Sequence, residues 1–131
     1  MDRIIYDDFQ DTVSKLLTRH KSILDILSKY QDSNARVNRA VAKAVTSCGC
    51  IKINAKKQEL PQDISLEEMK NFMSSHLEGQ LCDNCREIIE KELGNNLFYL
   101  VSLADTLGIN LYDVILEEQK SLSALGIYHL K

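Results

Sequence analysis

All four cysteines of this 131-residue chain fall into two tight pairs, Cys48-Gly49-Cys50 and Cys82-Asp83-Asn84-Cys85. Thiolates are the soft ligands that tetrahedral zinc takes at about 2.3 Å. Cys82 and Cys85 straddle the expected start of a helix, where free N–H groups and the helix dipole favour thiolate over thiol. Pairing every cysteine in this way points to one four-thiolate zinc site. Four thiolates leave no position for a reactive water, so such a metal would be structural. The first pair is Cys-x-Cys rather than the commoner Cys-x-x-Cys, and 31 residues separate the two pairs. Two alternatives therefore stand beside zinc: four small buried thiols, and a reversible disulfide. His20, His76 and His129 are isolated in the sequence, and His76 reads as a partly exposed residue at a helix end.

A second group of candidates mixes acids with cations. Ile88, Glu92, Asn95 and Tyr99 form one helical stripe with apolar ends. A carboxylate buried there without a partner would be costly, so Glu92 is expected to meet a ligand or a neighbouring donor. Glu87 and Lys91 are spaced for an ordinary ion pair one turn apart, and Glu90 reads as solvated. Upstream, Arg36, Arg39 and Lys43 lie at i, i+3 and i+7, which makes a single basic stripe without an acid.

Residues 87 to 126 also carry a resemblance. Glu92-Leu93-Gly94-Asn95, the apolar run from Leu97 to Leu103, the turn Gly108-Ile109-Asn110-Leu111 and the closing Lys120 to Gly126 resemble the second half of the MazG-like nucleoside triphosphate pyrophosphohydrolases. That resemblance implies an all-α fold that buries its helices in dimers or larger assemblies. It also implies a magnesium site built from Glu-Glu-x-x-Glu on one helix and Glu-x-x-Asp on the next. Glu92 and Asn95 would then be the catalytic pair, with Arg36, Arg39, Lys43 and Tyr99 against the substrate. Two positions depart from the pattern. Asn95 stands where the last acid belongs, and the helix that should hold three acids carries Arg36, Arg39 and Lys43 instead. Magnesium wants hard, charged oxygen ligands, so its binding here is expected to be weak. The guanidinium groups would take over its electrostatic role towards a nucleotide phosphate.

The elements that must position these residues follow from periodicity. A single Pro, five Gly and long 3.6-residue patterns read as an all-α protein. The length suits one domain over residues 1 to 131. A first helix is expected over about residues 6 to 30, carrying Phe9, Val13, Leu16, Leu17, Ile23, Leu24 and Leu27 as a wide apolar stripe. Ser33 or Asn34 would cap a second helix over about residues 34 to 47. Residues 48 to 61 have no helical period and read as a cysteine-bearing connection, with a short extended piece from Cys50 to Asn54. Ser65-Leu66-Glu67-Glu68 is a capping box, opening a third helix over about residues 66 to 78 that Gly79 stops. A fourth runs over about 83 to 107 with Gly108 after it, and Asn110 caps a fifth over about 111 to 124, ended by Gly126. The expected architecture is a bundle of about five helices, MazG-like in the C-terminal part.

Composition narrows the function. No apolar run approaches the roughly 20 residues of a membrane span, and the first residues form no apolar signal segment, so a cytoplasmic protein is expected. Net charge is −3, but residues 34 to 57 carry six bases and no acid, whereas residues 58 to 118 carry thirteen acids and three bases. The two blocks either face each other, meet a charged partner, or form two solvated faces. Nucleic-acid binding is not expected, because the chain is acidic overall and the basic loop around Lys52, Lys56 and Lys57 has no aromatic residue for stacking. The leading expectation is a nucleotide-binding, homo-oligomeric protein with a degenerate magnesium site. Its rival is a catalytically inactive, zinc-stabilised scaffold or regulator that binds a protein partner.

Overall fold

The computed structural model describes residues 2–126, so His129 lies outside the described residues. Its elements in order are α1 (Arg3–Leu16), α2 (Ile23–Lys43), a π-helical turn (Ala44–Cys48), β1 (Ile51–Ile53), α3 (Leu66–Met69), β2 (Leu77–Gly79), α4 (Asp83–Thr106) and α5 (Leu111–Leu125). The all-α expectation holds, with one small two-stranded sheet added. Among the described residues no single helix is long and apolar enough to cross a membrane.

The first helix breaks earlier than its periodicity suggests. Leu17 turns to an extended conformation, and the Ser22 hydroxyl accepts from the Leu24 N–H to start α2. The expected boundary at Ser33 and Asn34 lies instead within α2. Ser33 caps nothing: it is fully buried, and its hydroxyl donates to the Tyr30 carbonyl 2.7 Å away. Asn96 on α4 completes the reason, donating to the Ser33 hydroxyl at 3.0 Å and bonding Asn34 as well. A tertiary partner thus holds these polar side chains inside a continuous helix, where local preference would have placed a start.

α2 and α4 form the main helix pair, lying antiparallel with Ala44 near Cys85 at one end and Ser33 near Asn96 farther along. At the first end Ala44, Ile51, Cys85 and Ile89 make a compact core, with Ala40, Val45, Cys50, Leu81 and Cys82 around it. A buried polar side chain of α1, Gln10, ties that helix to α4 and α5. Gln10 donates to the Asp105 carboxylate and the Ile109 carbonyl, and accepts from the Leu111 N–H at 2.7 Å. It thereby satisfies backbone groups left open where α4 ends and α5 begins. Gly108, at φ +73°, makes that corner, and Asn110 caps α5 while donating to Asp7.

The third helix is one turn rather than three. Ser65 caps it as expected, but the chain leaves the helix after Met69 and enters β2. β2 pairs antiparallel with β1, matching Ile51 with Gly79, Lys52 with Glu78 and Ile53 with Leu77. The extended piece expected near Cys50 to Asn54 is therefore one strand of a ribbon. Gly79 belongs to its partner rather than to a helix end.

Replacing Gln10 with Ala should leave the Ile109 carbonyl and Leu111 N–H without their partner. The expected loss is about 2 kcal/mol in urea unfolding, with the helical circular dichroism of the folded state unchanged.

Candidate metal centre and adjoining groove

Two elements deliver each cysteine pair. The last turn of α2 widens to a π-turn, closed by the Gly49 N–H on the Ala44 carbonyl at 2.9 Å. Gly49 can do this because it sits in the left-handed region, at φ +81°. That reversal places Cys48 at the end of the turn and Cys50 just before β1. On the other side Cys82 is the N-cap of α4, its sulfur accepting from the Cys85 N–H at 3.4 Å.

The ribbon closes the distance between the pairs. β1 begins one residue after Cys50, and β2 ends three residues before Cys82. Gly79 approaches the Cys50 carbonyl so closely that an added Cβ would lie 2.6 Å from that oxygen. Its φ of +86° excludes most side chains independently. A bulkier residue there would force the two cysteine-bearing segments apart.

The result is a four-sulfur cluster. The Sγ atoms of Cys48, Cys50, Cys82 and Cys85 all lie within 4.8 Å of one another, with Cys48 and Cys82 at 3.8 Å. A tetrahedral ion with bonds of about 2.3 Å needs its sulfurs about 3.8 Å apart. The donor set and spacing therefore fit a metal ion. All four cysteines are free, and Cys48 is exposed while only Cys85 is buried. Four buried thiols acting as small hydrophobes do not describe that pattern.

Crowding sets the ionisation order. The Cys85 N–H, the sulfur of Cys85 and the neighbouring thiols hold Cys82 down at about 7. Cys85 is pushed up to about 12, first by the Cys82 sulfur and then by burial. Negative charge thus gathers first on Cys82, and the crowding of sulfurs keeps Cys85 protonated. A divalent ion bound by the four sulfurs would release their protons.

Beside the cluster runs a groove between α2 and α4. One cavity, about 210 Å³, is lined by Ala40, Lys43, Ala44, Cys48, Cys85 and Ile88 among others. A second, about 170 Å³, is lined by Arg36, Arg39, Ala40, Lys43, Ile88 and Glu92. Ala40, Lys43 and Ile88 belong to both. The basic stripe and Glu92 therefore do meet, across the α2–α4 pair.

Their charges are unequally spent. Arg36 is held in its charged form first by Asp32, whose carboxylate its Nε meets at 3.0 Å, and next by Glu92. Arg39 and Lys43 have no ion-pair partner among the described residues, and Glu92 Oε2 is buried without a hydrogen bond. The other acids behave as the spacing suggests: Glu87 pairs with Lys91 at 3.3 Å and Glu90 is exposed. Asn95 is exposed, and Tyr99 lines a different cavity with Leu16, Leu17 and His20. Those two are not gathered with the basic stripe.

Sequence reasoning did not foresee that Ala40 and Ile88 form the groove's apolar floor, and it took Gly79 for a helix stop rather than the close contact at the ribbon's end. Only the alternation of Ile51-Lys52-Ile53 hinted at the ribbon. His76 stands just before β2 in a left-handed conformation, at φ 59°, and takes no part in the sulfur cluster. No family model matches the chain, and neither a curated protein nor a solved structure matches it.

Elemental analysis of the purified protein should return one tightly held metal ion per chain. Cys85→Ser or chelation should lower Tm by more than about 10 °C. Gly79→Ala, which touches no ligand side chain, should also weaken metal retention in a chelator competition.

Proposed function

We propose that this chain is a zinc-stabilised helical protein that binds a phosphate-bearing ligand, a nucleotide by class, in the groove between α2 and α4. The observation that carries the reading is the shared cavity of Arg36, Arg39, Lys43 and Glu92. Arg39 and Lys43 offer uncommitted positive charge, and arginine suits phosphate oxygens through its forked donors. Glu92 asks for the opposite, a hydrogen-bond donor, because its Oε2 is buried without one. A ligand with an anionic group and a hydroxyl or amino donor satisfies both ends, and a nucleotide has that chemistry. Ala40 and Ile88 supply an apolar floor for its uncharged part.

On this reading the protein is MazG-like in its helical layout, with cations standing where the acids of a magnesium site would be. Glu92 alone faces the basic stripe, which is too little negative charge to hold magnesium. Pyrophosphohydrolase chemistry is accordingly weak or absent, and binding is the function. Zinc suits the sulfur cluster because four thiolates form the closed tetrahedral set of structural sites. Its role is to hold the ends of α2 and α4 together and so keep the groove's two walls in register.

A scaffold or regulatory role is the second reading. Ile4 and Ile5 on α1 leave 69% and 64% of their surface in water, which favours a protein surface over these residues.

Calorimetric titration with a nucleoside triphosphate should show binding without magnesium, and Arg39→Ala should weaken it by about 10- to 100-fold. Little magnesium-dependent pyrophosphate release is expected from either protein. Tight binding of magnesium alone, or full turnover abolished by Glu92→Ala, would contradict this function.

A further inference from the structure

The geometry points to a small-molecule site at the bend between α1 and α2, built to take a compact aromatic carboxylate. It is independent of the α2–α4 groove and of the sulfur cluster. α1 ends where Leu17 turns extended, at ψ 99°, and α2 starts only at its Ser22 cap. The link between them and the Phe98-Tyr99 pair of α4 together line a cavity of about 290 Å³.

Part of that lining is apolar and aromatic. Phe98 and Tyr99 meet edge to face, with ring centroids 5.2 Å apart and planes at 90°. Both residues are half-buried, as is Leu17, whereas Leu16 keeps 65% of its surface in water. A flat ring entering the cavity would add stacking contact to the aromatic pair and cover apolar surface that Leu16 now leaves to solvent.

The rest of the lining is polar, and most of its donors are uncommitted. His20 is the exception, since its Nδ1 stands 3.5 Å from the Asp25 carboxylate. The Arg19 guanidinium and the hydroxyls of Thr18 and Tyr99 have no hydrogen-bond or ion-pair partner among the described residues.

Charge and size select the ligand. One free guanidinium matches one negative charge, and its forked donors fit a carboxylate through two hydrogen bonds. A phosphate ester, with nearly two charges at neutral pH, would leave one unmatched. The Thr18 and Tyr99 hydroxyls can donate to the lone pairs that a bidentate arginine leaves open. The cavity sits at the lower edge of the roughly 300–1,000 Å³ usual for ligand sites, which suits one ring or two fused rings bearing a short acid group.

The probe is 2-naphthoate, titrated into the nitrogen-15-labelled full chain and followed by amide chemical shifts. Saturable shifts are expected below about 5 mM, centred on residues 17 to 20 and on Phe98 and Tyr99. Arg19→Gln should weaken the binding at least about 10-fold. Arg19 is exposed and unpaired, so shifts elsewhere in that variant's spectrum should match those of the wild type. The uncharged isostere 2-naphthamide should bind the wild type about as weakly as naphthoate binds the variant, and acetate, with the charge but no ring, should give no saturable shift. A wild type without saturable naphthoate shifts overturns the inference. So do shifts centred on Arg39 and Lys43, an amide that binds as tightly as the acid, or an Arg19→Gln protein of unchanged affinity.

Discussion

The fold depends on one closure: the end of α2 must be brought to the start of α4 although more than thirty residues of chain run between them. Local structure does most of this before any metal is considered. Gly49 reverses the chain after the π-turn, β1 and β2 pair, and Gly79 lets the ribbon's end lie against the Cys50 backbone. Gln58 and Ser74, joined by two hydrogen bonds of 2.8 and 3.0 Å, close the excursion between the strands. Short ribbons of this kind are marginal alone in water. A core of Ala44, Ile51, Cys85 and Ile89 is small as well, so a metal held by four thiolates has a clear energetic task there.

The α2–α4 pair is ordered differently along its length. At the cysteine end it is apolar, with Ala40 and Ala44 keeping α2 slim against α4. Midway it carries charge, with Arg36, Arg39 and Lys43 opposite Glu92. Farther on it is neutral and polar, where Asn96 reaches Ser33 and Asn34. Each zone fixes register in its own way, and the last does so most strictly. A hydrogen bond into a fully buried serine tolerates no slip of a helical turn.

Chemistry-bearing residues were legible in the sequence, and boundaries less so. The cysteine spacing identified a four-sulfur group, and helical counting gave the basic stripe of α2, whereas its place opposite an acid of α4 came only from the packing that the family resemblance implies. The break between α1 and α2 was misplaced for a physical reason. Ile23 and Leu24 follow Leu16 and Leu17 at a spacing of seven, two helical turns, so the apolar stripe stays in phase across the break and periodicity does not register it. Ser22 and Ser33 are both capping residues by type, and only Asn96, sixty-three positions away, decides against Ser33. The capping box at Ser65 was read correctly as a start, but a start says nothing of length. Residues 70 to 78 lack the apolar packing that would extend one turn into three, since Phe72, Met73 and Leu77 are all exposed.

Lys43 links the sulfur cluster to the groove. It lines the cavity beside Cys48 and Cys85 and also the cavity beside Arg39 and Glu92. A divalent ion on four thiolates carries a net charge of about −2, and a nearby ammonium lowers the cost of that charge. The same ammonium is one of the two uncommitted cations available to an anionic ligand. One lysine cannot neutralise both fully, so metal loading and anion affinity draw on a shared charge and oppose each other electrostatically. A metal on the four sulfurs would nevertheless hold the helix ends whose separation sets the groove's width. Geometry would therefore make the metal necessary for the groove, while electrostatics would make it a mild competitor. The position of a single long, flexible side chain sets the balance between the two.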